Sequence, residues 1–311
     1  MNFITEFGIF LGAAFLSGLI VLASIHLAHQ FDFLDAPDST RKSQSRPIPK
    51  LGGVAVALAF SLVVLVVLLL SSQKGEISLA FGVLLPTLGL AAVGFFDDKN
   101  NLNPYLRLFL QASFALIAWL LGTQIELTGL PILDAGLFVL WVMVIVNGVN
   151  LLDNSDGLAA STVLVSAIGG WIIAVFFGQQ LVALLAVALA GVAAGFLLHN
   201  WFPARVYMGD SGAYFLGFLA AILAVRLRPE GVTSWAGVAI ALLLVALPLM
   251  DTFYVVTKRI LNGIHPFTAG RDHLSHLLQE NGRTVPGSVL LLQGISVAGA
   301  SSAVLIAVAT R

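Results

Sequence analysis

The 311-residue chain contains no cysteine, which excludes disulfides and thiolate metal sites. It is also poor in charge: Asp, Glu, Lys and Arg make up 10% of its residues, against roughly 25% in an ordinary soluble domain. A formal net charge of −1 leaves no basic excess to hold nucleic acid. No internal repeat and no stretch of soluble-domain composition breaks the chain, so residues 1–311 read as one domain. What the sequence does have is apolar length. Hydrophobic residues account for 59% of it, in runs that match the ~20 residues needed to cross a hydrocarbon core of about 30 Å. The expected fold is all-α, a polytopic integral membrane protein.

Hydropathy places ten spans, at about 3–27, 52–71, 77–96, 105–122, 135–150, 157–177, 181–199, 212–227, 233–257 and 286–309. The first lacks a basic n-region and a small-residue cleavage site, so it is expected to be a retained helix. Ten spans put both termini on one side. The breaks after odd-numbered spans hold Arg41, Lys42, Arg46, Lys50, Lys99, Arg107, Arg205, Lys258, Arg259, Arg271 and Arg283, eleven of the fifteen Lys and Arg residues. That richer side is expected to be cytoplasmic, with both termini outside. The same side collects the chemistry, in DAPDSTRKSQSRPIPKLGG, FFDDKNNLNPYLR, NGVNLLDNSDGL, HNWFPARVYMGDSG and HPFTAGRDHLSH. A site assembled from five loops at one membrane face follows. A transporter or channel, the competing reading, would instead want ionisable groups near the bilayer midplane.

Within these loops, Asp97 and Asp98 end an apolar span, either as a solvated helix end or as a pair able to take a proton or hold a divalent cation. Asn147, Asn150, Asp153 and Asp156 recur every three residues, a spacing that lets side chains share one drifting helical face and one cavity. Asn147, one turn inside an apolar helix, needs a buried partner. Asp210 lies between small residues just before a span, as an N-cap or, with Asn150, as a hard oxygen donor suited to magnesium. His273 and His276 offer proton donors or phosphate ligands, and Arg271 a planar fork for phosphate or sugar oxygens. Arg41, Lys42, Arg46 and Lys50 are either a topology signal or a phosphate-facing loop. Together the groups suit phosphoryl transfer between a soluble donor and a lipid acceptor.

DSTRKSQSRPIPKLGG, GFFDDKNNLNPYLRLFLQ, NGVNLLDNSDGL, MGDSGAYFLGF and GRDHLSHLL, in this order, resemble the motifs of the polyprenyl-phosphate N-acetylhexosamine-1-phosphate transferases. Bacterial enzymes that start O-antigen, teichoic acid and peptidoglycan lipid precursors belong to that family. The resemblance implies a multi-pass enzyme of the bacterial inner membrane. Undecaprenyl or another polyprenyl phosphate would attack the β-phosphorus of a UDP-N-acetylhexosamine, giving polyprenyl-diphosphate-sugar and UMP with magnesium, or manganese in its place. Carried over by motif, Asp97 and Asp98, with His273 and His276, are the catalytic candidates, and Asp210 and Asn150 the metal ligands. Asn147, Asp153, Asp156 and Arg271 would line the nucleotide and sugar pocket; Arg41, Lys42 and Lys99 would meet the lipid phosphate. A homodimer is a frequent assembly in the family. The chain departs from the family pattern at Asn154, where a glycine is common, and at Ser275 and Leu277 in the histidine motif. These departures favour the hexosamine branch over the phospho-muramoyl-pentapeptide branch.

Overall fold

The structure, a computed structural model, describes residues 3–37, 46–70, 74–227, 234–268 and 270–310, with backbone only at 74–78. Among the described residues the helices are α1 (Phe3–Gln30), α2 (Gly52–Leu70), α3 (Lys74–Asn100), α4 (Pro104–Leu120), α5 (Pro131–Leu152) and α6 (Leu158–Phe176), then α7 (Gln180–Asn200), α8 (Gly209–Arg226), α9 (Ser234–Leu244), α10 (Ala246–Leu261), α11 (Leu274–Glu280) and α12 (Val285–Ala309). Between α1 and α2, β1 (Leu34–Asp35) pairs antiparallel with β2 (Ile48–Pro49), Leu34 opposite Pro49.

Local sequence sets several of these boundaries. Asn103 caps α4 by accepting from the Tyr105 amide at 2.8 Å, with Pro104 in the first helical position. Thr284 does the same for α12 through Gly287 N at 3.2 Å. Gly157, at φ +78°, makes the left-handed turn between α5 and α6.

Eight of the described helices are long and apolar enough to span a membrane: α1, α2, α3 from Leu79, α5, α6, α7, α8 and α12. The expected spans at 105–122 and 233–257 come out differently. α4 has 17 residues, a rise of about 26 Å, slightly short of the hydrocarbon thickness. The expected straight span 233–257 is instead α9 and α10, bent by 74° at Val245. Pro248 explains the bend, because it cannot donate to the Leu244 carbonyl and its ring clashes there. In hydrocarbon an orphaned carbonyl is costly, and Ser166 of α6 supplies the missing donor to Leu244 O at 2.6 Å.

α7 and α8 are the most enclosed helices, with α7 packed on α1 and α6, and α8 on α3 and α5. Lipid offers little hydrophobic drive to join helices, so close backbone approach has to supply the packing energy. At the α1–α7 contact, a Cβ on Gly195 would strike the Ala14 carbonyl and Ser17 Cβ. Nearby, Ser17 Oγ donates to Val192 O at 2.8 Å. Gly195→Val is expected to overpack this seam and lower thermal stability by roughly 1–3 kcal/mol. Gly12→Val, on the same α1 but with open space around it, should leave the melting temperature in detergent unchanged.

Candidate active site

One end of the bundle, where α1, α3, α5, α7 and α10 finish and α2, α4, α6, α8 and α12 begin, encloses a cavity of about 590 Å³. Its wall takes Asp35 and Lys50 from the α1–α2 connection and Arg107 from α4. Asn147, Asn150 and Asp153 to Asp156 come from the α5 end, Tyr207, Gly209 and Asp210 from the α8 start, and Thr252, Arg259, Arg271, His273 and His276 from α10 and beyond. Of the residues picked out by sequence, Asn147, Asn150, Asp153, Asp156, Asp210, Arg271, His273 and His276 all line it. Lys99 does not; it is exposed at the end of α3. Arg41 and Lys42 lie outside the described residues.

Asp97 and Asp98 stand behind the wall rather than in it. Asp97 is buried and accepts from three donors: Arg107 Nη1 at 3.1 Å, Tyr214 OH at 2.8 Å and the Leu102 amide at 2.9 Å. It therefore holds the Arg107 guanidinium at the cavity. The Asp98 side chain is 1% exposed and meets Lys50 Nζ at 2.8 Å. It also accepts from the amides of Asp210 at 3.0 Å and Ser211 at 3.2 Å, which are free donors at the start of α8. Gly209, at φ +67°, permits this approach, since a Cβ there would meet the Asp98 carboxylate. Burial alone would lower the Lys50 pKa, but the charge and hydrogen bond of Asp98, with Asp210 and Asp35 further off, raise it above its ordinary value.

The three-residue beat of the sequence is real. Asn147 and Asn150 sit on the last turns of α5, Asp153 is its C-cap, and Asp156 lies in the following turn. The buried partner that Asn147 requires is Gln111 of α4, which accepts from Asn147 Nδ2 at 2.6 Å; the same amide group donates to Met143 O at 2.7 Å. Asn150 Nδ2 donates to Asp210 Oδ1 at 2.6 Å. Asp156 accepts from the Ala204 amide at 2.9 Å, and Asn200 joins the same loops through Gly157 N and Val206 O. Asp153 has a pKa raised well above the ordinary carboxylate value, first by burial and then by the charges of Asp210 and Asp98. Burial also raises Asp156.

The histidine motif is held from α10. Asp251 faces His273, and Arg259 takes Asp272 through Nε and Nη2, both at 2.7 Å, while its Nη1 donates to Pro266 O. Burial, then His273 and Arg271 close by, lower the His276 pKa to about 4, so at neutral pH it presents an uncharged ring. Such a ring could meet an ionised phosphate only through its single N–H. Ser275, fully buried, donates to Asn154 Oδ1, which joins two of the three positions where the chain departs from the family pattern. Sequence reasoning passed over Asp251, Arg107, Arg259 and Tyr207 as site residues, and had Lys50 only as one base of the cluster Arg41, Lys42, Arg46 and Lys50. For Asp251 a signal existed, a carboxylate inside an apolar run.

A family profile described as Glycosyl transferase family 4 matches residues 80–228. A phospho-N-acetylmuramoyl-pentapeptide-transferase of Streptococcus agalactiae is 31% identical over 231 residues, 68% of this chain and 69% of that protein. The chain belongs to glycosyl transferase family 4. Similarity extends further along two other members. A Bacillus subtilis protein named "Probable undecaprenyl-phosphate N-acetylglucosaminyl 1-phosphate transferase" is 28% identical over 300 residues, 91% of this chain and 80% of its own. A decaprenyl-phosphate N-acetylglucosaminephosphotransferase of Mycobacterium leprae is 29% identical over 297 residues, 83% of this chain and 74% of its own. At family level this is a multi-pass membrane phosphosugar transferase acting with polyprenyl phosphate.

Two outcomes test the electrostatics of the site. Charging Asp153 costs more in the fold than in the unfolded chain. Its penalty therefore grows as pH rises from the unfolded value, about 3.9, through the raised folded value. Asp153→Asn should raise the melting temperature of the metal-free protein at pH 8 and change it little at pH 4. Lys50→Met should cost about 3 kcal/mol by leaving the buried Asp98 carboxylate without its cation. Adding Asp98→Asn should restore part of that stability, measured by thermal unfolding in detergent, because a neutral amide needs no counter-charge although its one oxygen can accept from only one of the two α8 amides.

Proposed function

We propose that the protein transfers an N-acetylhexosamine-1-phosphate from its UDP-linked form to undecaprenyl or another polyprenyl phosphate, at the cytoplasmic face of a bacterial inner membrane. The observation that carries this reading is a single cavity at one bundle end in which carboxylates (Asp153, Asp156, Asp210), cations (Lys50, Arg107, Arg271) and histidines meet. Nucleotide diphosphate and lipid phosphate both bring negative charge that such cations offset. α10 supports a lipid acceptor: Thr252, Val255 and Arg259 face the cavity, while Met250, Phe253, Ile260 and Leu261 are exposed and apolar. A phosphate can enter the cavity while its hydrocarbon tail stays in the bilayer.

The acceptor phosphate is largely ionised at neutral pH, so its attack depends on alignment and charge neutralisation more than on removal of a proton. In that scheme Asp97 orients Arg107, and Asp98 sets Lys50 and the start of α8. Arg271 reaches the diphosphate or sugar, and Asn147, Asp153 and Asp156 shape the nucleotide side.

The donors present fit magnesium or manganese. Asp210 and Asn150 are adjacent hard donors, and the mutual repulsion of Asp153 and Asp210 is one that a cation would relieve. Among the described residues no group of three His, Cys, Asp or Glu is placed to hold a metal unaided. A cation held by one or two carboxylates plus substrate phosphates needs no such group. When bound it would offset charge on the diphosphate as UMP leaves.

A second reading, a muramoyl-pentapeptide donor, has the Streptococcus agalactiae relative in its favour. Both are decided by a panel of UDP-sugars, including UDP-MurNAc-pentapeptide, incubated with undecaprenyl phosphate and magnesium. UMP release is expected with a UDP-N-acetylhexosamine and absent without lipid or metal. Release from none of the panel would refute the transfer.

A further inference from the structure

Asp251 and His273 form a buried acid–imidazole pair whose imidazole lines the cavity. Asp251 is 1% exposed and His273 5%. Asp251 Oδ1 accepts from the Leu274 amide at 2.9 Å, and Oδ2 lies 2.9 Å from His273 Nδ1. An ionised carboxylate only accepts, so the proton between them belongs to Nδ1. That leaves Nε2, across the ring, as the nitrogen available at a residue that lines the cavity. Without the carboxylate the ring could take either tautomer and rotate about its side-chain bonds.

Resting on the transfer reading above, we propose that Asp251 is a positioning residue. It fixes His273 in one tautomer and one orientation, with Nε2 presented to the substrate, and so brings α10 into the site although Asp251 touches no substrate itself. The same carboxylate caps the start of α11 through Leu274 N, so a purely structural role is the alternative to be separated. Asp251→Asn separates them: the amide oxygen still accepts from Leu274 N, but the amide nitrogen now donates toward Nδ1 and favours the other tautomer.

The full-length protein in lipid nanodiscs serves for the test. UMP release by Asp251→Asn should show kcat lowered about 10–100-fold with KM for the UDP-sugar within about twofold. In a His273→Gln background the same change should have almost no further effect, since the residue acts through the ring. Asp251→Glu should recover part of the loss. Nitrogen-15 NMR of histidine-labelled protein, assigned with His273→Gln, should show a protonated, hydrogen-bonded Nδ1 in the parent and a changed tautomer in Asp251→Asn. Full additivity in the double variant, or an unprotonated Nδ1 in the parent, would overturn the proposal. The parent spectrum alone decides the tautomer if Asp251→Asn does not yield folded protein. If the parent releases no UMP from any donor, the transfer reading fails while the NMR result still judges the pair.

Discussion

The Asp98 carboxylate joins three segments that are distant in sequence: the end of α3, the residue after β2, and the first amides of α8. In hydrocarbon-rich surroundings neither a bare carboxylate nor a row of free helix amides is tolerable. Each resolves the other, and Lys50 balances the charge. The backbone follows this contact. A Cβ on Gly94 or Gly53 would strike the backbone at the start of α8, and Gly209 takes a left-handed conformation to let the carboxylate in. Asp210 owes its place in the cavity to this junction, and the Asp210–Asn150 bond then ties α8 to α5.

The sequence makes legible whatever depends on composition and local order. Apolar run lengths reveal the helical membrane architecture, and the polar loops reveal which end carries the chemistry. The beat of Asn147, Asn150, Asp153 and Asp156 reveals one wall of the site. Pairings between remote segments are invisible to such reasoning. Nothing around Gln111 announces that it answers Asn147 across 36 positions, and nothing around Lys50 distinguishes it from the other bases in its cluster. Asp97 and Asp98 were legible as polar groups that must be satisfied, but not as groups satisfied by protein. The Pro248 break was readable in principle; high hydropathy on both sides of it concealed the bend.

Asn154 and Ser275 show how two local departures from a family pattern are understood only together. Taken singly, an asparagine in place of a glycine changes a turn, and a serine in place of a histidine removes an imidazole. In the fold the Ser275 hydroxyl donates to the Asn154 carbonyl oxygen, and Asn154 Nδ2 donates to Leu151 O. The buried serine would be unsatisfied without the asparagine. The pair fastens the turn that carries Asp153 and Asp156 to the short helix that carries His276, two walls of one cavity.

The cavity separates its charges by how they are held. Arg107 and Lys50 are each gripped from behind by a carboxylate, Asp97 and Asp98, that does not line the wall. Their positions are therefore set before any phosphate arrives, which reduces the reorganisation needed to stabilise developing charge. The acids Asp153 and Asp210 are arranged in the opposite sense: they face the cavity and one another's charge, with an amide rather than a cation between Asp210 and α5. One side of the site is thus complete and ready for anions, whereas the other is left electrostatically unbalanced. In the proposed transfer a divalent cation arriving with a nucleotide diphosphate would correct that imbalance, so donor and metal would favour one another's binding and neither would be held as well alone.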